Sequence, residues 1–294
     1  MDVKTWSTPV TKERERVIPC AVCGGITFST ALDCGDFAFV RCRSCSLVQR
    51  NPQALDAEVE SRYRNRHGID YVEYELANEA SFLRLQELAL RDSGFFDLER
   101  ELLAMGSENA NPPRILDIGC ATGALLASLR DRGWACTGAE LCDPSAEYAR
   151  KVRGLDVRSD PIERVELPEN SFDVVHASHL IEHLNDPRSF VRTVRRLLRP
   201  AGTLLVSTPN IDGFQARLFG SAWRSAIFDH QYLFSQRTLE ALLVSEGFNI
   251  LRVATWGGLA AGSAPRIIKG IADRVVKITG SGDVMMLRAV LQSP

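Results

Sequence analysis

The chain is expected to be an α/β protein: a mostly parallel sheet with an antiparallel last strand, preceded by a small cysteine-knuckled module and a helical connector. Three features predict this. After Pro113, short apolar runs alternate with helix-periodic ones, the pattern of strands joined by covering helices. A glycine-rich turn, Asp117-Ile118-Gly119-Cys120-Ala121-Thr122-Gly123, follows the first of those runs. Four of the eight cysteines stand as two C-x2-C pairs near the N-terminus. At 294 residues the chain has room for about two domains.

Residues 1–17 read as a loose arm. Residues 18–52 hold the pairs Cys20/Cys23 and Cys42/Cys45, with 18 residues between Cys23 and Cys42. A C-x2-C turn puts two thiolates on one side of a metal, and a second turn completes a tetrahedron with bonds of about 2.3 Å. Gly24 and Gly25 permit the tight turn, and Phe37, Phe39 and Val40 supply a short strand between the pairs. A structural Zn2+ in a ribbon is therefore expected, because so short a segment cannot fold on burial alone. Cys34 has no partner at ligand spacing and reads as packing.

Residues 53–111 form the connector or cap, with Leu76, Phe82, Leu83, Leu85, Leu88 and Leu90 near helical spacing and a linker over 106–113. Residues 112–294 carry the alternation. Strands are expected over 114–119, 135–141, 172–178, 202–207, 248–255 and 284–291. The expected helices are 123–132, 144–152, 187–198, 235–247 and an amphipathic 267–278. Pro144 opens one helix; Ser235 caps another, which Gly247 stops.

Composition excludes several classes. Thirty-five Lys plus Arg against 37 Asp plus Glu leave a net charge of −2, which makes nucleic acid an unexpected main partner. No apolar run approaches the roughly 18 residues of a membrane span. Residues 1–16 lack the apolar core of a signal peptide, so the expected compartment is cytoplasmic.

The glycine turn is a ligand cradle, since short side chains admit close backbone and a helix N-terminus adds unpaired N–H groups. It lacks the G-x-G-x-x-G of dinucleotide folds, having Ala121 as its middle residue. A methyl there is tolerable if φ is negative. Asp117 beside the cradle repels pyrophosphate and attracts a cation. Glu140, 21 residues after Gly119, stands where an acid can bind both ribose hydroxyls. A nucleoside with a cationic, amino-acid-like tail suits this arrangement better than NAD.

The segment 112–292 resembles the class I S-adenosylmethionine-dependent methyltransferases. Besides the turn and Glu140, the resemblance is carried by Phe172-Asp173-Val174-Val175, Leu180-Ile181-Glu182-His183-Leu184 and Leu197-Leu198-Arg199-Pro200-Ala201-Gly202. It implies a Rossmann-like seven-stranded methyltransferase sheet and S-adenosyl-L-methionine as cofactor. By position, Asp117 and Gly119 would lie at the methionine amino group, and Cys120 and Gly123 would line the turn. Glu140 would take the ribose, Leu141 would pack on adenine, and Asp160 would lie near the adenine amine. Ser178 and His179 would face the methionine tail.

The ribbon resembles the zinc-binding preface of bacterial methyltransferases of sugar and natural-product pathways. This implies a small-molecule acceptor carrying a hydroxyl. Sugar C-methylation and RNA methylation are the alternatives, the latter drawing on Arg41, Arg43 and Arg50 of the ribbon and on Arg188, Arg192, Arg195, Arg196 and Arg199 of one helix.

A hydroxyl acceptor needs a group to take its proton, and histidine is matched to neutral pH. His230, with Asp229 to orient it, lies in a segment expected to cover the pocket and is the first choice. His183 is the second, and loop anchoring is the competing role for both. His176, inside a strand, reads as a buried, hydrogen-bonded histidine. His67 reads as a solvated surface residue.

Overall fold

The computed structural model describes residues 15–65, 68–109, 111–258 and 266–292. The N-terminal part holds β1 (Glu15–Arg16), β2 (Phe28–Asp33), β3 (Ala38–Cys42), β4 (Val48–Arg50) and β5 (Gln53–Ala54). The helices α1 (Asp56–Asn65), α2 (Gly68–Asp92) and α3 (Phe95–Asn109) follow. The α/β part runs β6 (Arg114–Ile118), α4 (Ala124–Asp131), β7 (Ala135–Ala139), α5 (Asp143–Lys151), β8 (Asp156–Arg158) and β9 (Phe172–Ser178). It continues with α6 (Pro187–Leu197), β10 (Leu198–Pro209), α7 (Phe214–Phe219), β11 (Tyr232–Leu233) and α8 (Gln236–Ser245). The last elements are β12 (Phe248–Trp256), α9 (Arg266–Thr279) and β13 (Val284–Leu291).

Seven strands form one sheet in the order β12-β13-β10-β9-β6-β7-β8. β10, β9, β6, β7 and β8 are parallel, and β13 runs antiparallel between β10 and β12. The order reverses beside β6, so β6 and β9 point their C-terminal ends at the crevice where such sheets bind ligands. Central strands buried on both faces read as continuous apolar runs: Ile115, Leu116, Val174, Val175, Leu204, Leu205 and Val206 are all buried. Helix α6 lays Phe190, Val191, Val194 and Leu197 against the sheet, and Asp186 caps it by accepting from the Ser189 N–H at 2.9 Å. Ser235 and Thr238 form the expected cap of α8.

A second sheet has the order β11-β4-β3-β2, so the cysteine-bearing strands take their fourth member from residues 232–233. Cys20, Cys42 and Leu47 share a core with Tyr232, Phe234, Leu239 and Phe248.

Three expectations are corrected. The end of the arm is ordered, because Glu15–Arg16 pairs with Gln53–Ala54 and Arg16 reaches Asp56 at 3.0 Å. The linker starts later, since α3 continues through Gly106 to Asn109. The short strand β8 adds to the sheet although its alternation is only three residues long. The residues at helical spacing along α2 divide in burial: Leu90 is buried, and Phe82, Leu85 and Leu88 are exposed. His67 lies outside the described residues. Among the described residues no helix is long and apolar enough to cross a membrane.

Candidate active site

The turn after β6 is built by backbone. The Gly119 N–H donates to the Ala139 carbonyl at 2.7 Å, and Gly123 N–H to Cys120 at 2.9 Å. Gly123 has φ +80°, and a Cβ there would meet Leu155 Cδ1 at 2.5 Å, so a side chain would be strained and would have to displace Leu155. Gly119 has φ +78° and faces open space apart from Leu180. Ala121 adopts φ +51°, so the negative angle at which its methyl would be readily tolerated is not met: the methyl is held in the left-handed region.

Carboxylates occupy the N–H groups of this turn. Ala121 donates to Glu140 Oε2 at 2.9 Å, and Thr122 donates to Glu75 Oε2 at 3.2 Å. The other oxygen of Glu140 accepts from Cys142 N–H at 2.7 Å. A phosphate would find its donors taken, which accounts physically for the missing dinucleotide motif. Burial raises the pKa of Glu140, and burial with the Glu140 charge raises Glu75 to about 7, although Tyr71 and Thr122 hydrogen bonds oppose the shift. Asp117 is buried, with His176 Nδ1 2.7 Å from its Oδ1. His176 thus has the expected structural place.

The other cofactor candidates differ in enclosure. Cys120 is buried and Leu141 half-buried. Ser178 Oγ lies 2.7 Å from Ser207 Oγ at the end of β9. His179 has φ +52° and a half-exposed ring. Asp160 is 69% exposed and 3.5 Å from Arg64 of α1.

A second group gathers beyond β9. Glu182, His183 and His230 each bring a ligand-type atom within 4.8 Å of the others. Glu182 is buried; its Oε2 accepts from Thr208 Oγ1 at 2.9 Å, and His179 Nδ1 is 3.3 Å from Oε1. Burial pushes this carboxyl up, but His179, His183 and His230 outweigh it and bring it to about 2. The His183 and His230 rings meet edge to face at 4.6 Å. Burial, then His183, depresses His230 to about 4, so at neutral pH it is an uncharged imidazole and a weaker base than its ordinary value promises. Burial lowers His183 too.

Asp229 is placed differently from expectation. Its carboxylate pairs with Arg62 of α1 at 2.8 Å, while the Ser225 carbonyl, 2.8 Å from Nδ1, orients His230. The backbone carbonyl of Asp229 instead faces His183 Nδ1 at 3.2 Å, and the Tyr63 hydroxyl lies 2.6 Å from the same nitrogen. Tyr63, Tyr71, Glu75 and Ser225 escaped the sequence reading. Only the aromatic-acidic run Tyr71 to Glu75 carries a local signal of them.

The four cysteines converge as spaced. Their sulfurs lie within 4.8 Å of one another, with Cys20–Cys45 at 3.4 Å and Cys23–Cys42 at 3.5 Å. Zinc–sulfur bonds of about 2.3 Å set tetrahedral edges of roughly 3.8 Å, close to these separations. Both turns repeat one pattern: Cys20 N–H donates to Gly25 and Cys42 N–H to Leu47, each at 2.8 Å. A Cβ on Gly25 would crowd the sulfurs of Cys42 and Cys23 at 3.2 and 3.3 Å. Burial opposes ionisation of Cys42, but N–H groups of Cys45 and Ser44 and the neighbouring thiols bring it down to about 7. Cys34 packs beside the cluster of Phe39, Val48 and Trp223, apart from the other sulfurs.

This sheet order, glycine turn and acid-lined cradle define a class I methyltransferase fold. A family model described as a methyltransferase domain matches residues 91–253. The chain belongs to that methyltransferase-domain family. It is 33% identical over 103 residues to a ubiquinone biosynthesis O-methyltransferase of Idiomarina loihiensis, covering 33% of this chain and 42% of that protein. To the protein of the same name from Bordetella bronchiseptica it is 36% identical over 104 residues, covering 33% and 43%. The chain thus spans about two-fifths of the length of the curated relatives it matches. A solved S-adenosylmethionine-dependent methyltransferase from Mesorhizobium loti superposes with a TM-score of 0.48 at 18% identity, covering 61% of this chain and 91% of that one.

Proposed function

We propose that the protein transfers the methyl group of S-adenosylmethionine to an oxygen of a small-molecule acceptor, a hydroxyl of a sugar, glycan precursor or natural product. The observation that carries this is the Glu182–His183–His230 group beyond β9, one strand over from the acid-lined turn. Asp117, Gly119, Cys120, Gly123, Glu140 and Leu141 hold the cofactor in this reading, with Asp160, Ser178 and His179 at its edges. The cofactor supplies a methyl on a sulfonium, already a good leaving group. Asp117 favours its cationic end, Glu140 takes its ribose, and α2 brings Glu75 over the turn to exclude water. The acceptor lies against the lid of residues 223–234, where Nε2 of His230 or His183 faces its hydroxyl proton. Asp229 acts by tying that lid to α1 through Arg62. Zn2+ on Cys20, Cys23, Cys42 and Cys45 holds the ribbon that carries β11.

The basic residues of α6, and Arg199, which lies just past it at the start of β10, support a small acceptor over RNA. Arg188 and Arg192 both pair with Glu246, Arg196 with Glu169 and Arg199 with Asp173. Arg50 is buried over the Phe228 ring. Few of these charges remain for phosphates. Incubation with methyl-tritiated S-adenosylmethionine and a fractionated extract tests the reading. Label is expected in the small-molecule fraction as an alkali-stable ether; label in RNA, or in neither, would overturn it.

A further inference from the structure

The group of Glu182, His183 and His230 has the features of a ligand set as well as those of an acid–base pair. Its first two members are adjacent on the helical turn Ile181–His183, and the third comes from the lid. One ligand atom of each lies within 4.8 Å of the other two.

The hydrogen bonds fix the tautomers. His230 Nδ1 is 2.8 Å from the Ser225 carbonyl, which can only accept, so Nδ1 carries the proton and Nε2 keeps its lone pair. His183 Nδ1 contacts the Asp229 carbonyl at 3.2 Å and the Tyr63 hydroxyl at 2.6 Å. Both contacts are satisfied together only when His183 Nδ1–H donates, leaving Nε2 free as well. Outer carbonyls that orient imidazoles in this way are the usual support of metal-bound histidines.

Glu182 supplies the charge. It is fully buried, and among the described residues its ion-pair partner is His179, with no Lys or Arg beside it. A buried carboxylate is costly unless it is paired or coordinates a metal. The half-exposed ring of His179 marks the side of the group that opens to solvent.

We propose that Glu182, His183 and His230 form a divalent-cation site, separate from the four cysteines, on which the acceptor oxygen is held. Two imidazole nitrogens and one carboxylate with open positions suit Zn2+ or Mn2+, and first-row divalent ions generally, better than Ca2+. With the cation bound, Nε2 of His183 and His230 is taken up as ligand and neither imidazole serves as the base, so the acceptor hydroxyl held there gives its proton to solvent past His179. Its oxygen then takes the methyl as the carbon–sulfur bond breaks, and S-adenosylhomocysteine leaves without any redox change. The role of the cation rests on the O-methyl reading above; the site itself does not.

The test is a titration with Mn2+, which competes poorly for thiolates, of the whole chain loaded with a single zinc equivalent for its four cysteines, followed by loss of the free-ion electron paramagnetic resonance signal. The wild type is expected to bind one equivalent and to show imidazole nitrogen modulation in the spin echo, a readout that needs no variant. Glu182→Gln and His230→Ala are expected to weaken binding at least tenfold, with S-adenosylhomocysteine affinity measured alongside as the check on folding. No bound Mn2+, a bound ion without nitrogen modulation, or unchanged affinity in Glu182→Gln would overturn the site. A bound ion in a protein that methylates no oxygen acceptor leaves the site standing and strikes only the role on the acceptor.

Discussion

Glu75 accepts a hydrogen bond from the Thr122 N–H at 3.2 Å, so helix α2 is tied to the turn that begins α4. The carboxyl sits at about 7 in the fold against an ordinary 4.5, and the native chain keeps an extra proton between those values. Its contribution to stability is complete below about 4.5 and is lost as pH rises through about 7, at no more than about 1.4 kcal/mol per pH unit. Urea melts of the wild type and Glu75→Gln across pH 4 to 8 should diverge in that window. Parallel curves would refute the coupling.

Asp117→Ala and Glu140→Ala should each weaken S-adenosylhomocysteine binding, since a hydrogen bond to a charged group is worth about 1.5–3 kcal/mol. Glu140→Ala should also lower the melting temperature, because it leaves the N–H groups of Ala121 and Cys142 without their acceptor. Calorimetry that finds wild-type affinity in both variants removes the cradle assignment.

One zinc per chain is expected by elemental analysis of reduced, freshly purified protein. Cys20→Ser or Cys45→Ser should lose it and unfold the N-terminal region while the seven-stranded sheet persists. The lid should loosen in the same variants, because Tyr232 and Leu233 pair with Gln49 and Val48. Metal-free native protein would contradict this.

His230→Ala should lower turnover by about 10²–10⁴-fold with cofactor affinity nearly unchanged. Turnover within a few fold of wild type would reduce His230 to a tie in the lid.

Ala121→Gly should stabilise the fold by up to about 1 kcal/mol, since glycine relieves the left-handed strain at φ +51° but adds unfolded-state freedom. A melting temperature at or below the wild-type value would show that the methyl repays its strain through packing.

What the sequence made legible was local. The cysteine spacing, the turn from Asp117 to Gly123 and the cap at Ser235 each fall within a few neighbouring residues, so pattern and chemistry coincide. The site partners that escaped are distant in sequence. Tyr63 meets His183 across 120 positions and Arg62 meets Asp229 across 167, and no periodicity encodes such pairs. The conformation of Ala121 was hidden for another reason: an alanine gives no notice of positive φ where a glycine would. The pairing of Asp229 failed because adjacency to His230 in sequence put its carboxylate within apparent reach, whereas the chain turns it towards α1.

The strand Tyr232–Leu233 has a consequence for how this protein could be recombined. A crossover placed in the helices after residue 54, where a simple beads-on-a-string picture would cut, separates Val48–Arg50 from the strand that completes its sheet. A chimera carrying a foreign ribbon must therefore match the lid as well as the metal knuckles. The two segments inherit as a pair, and exchanging either alone should leave the seven-stranded sheet intact while the four-stranded one loses its edge pairing.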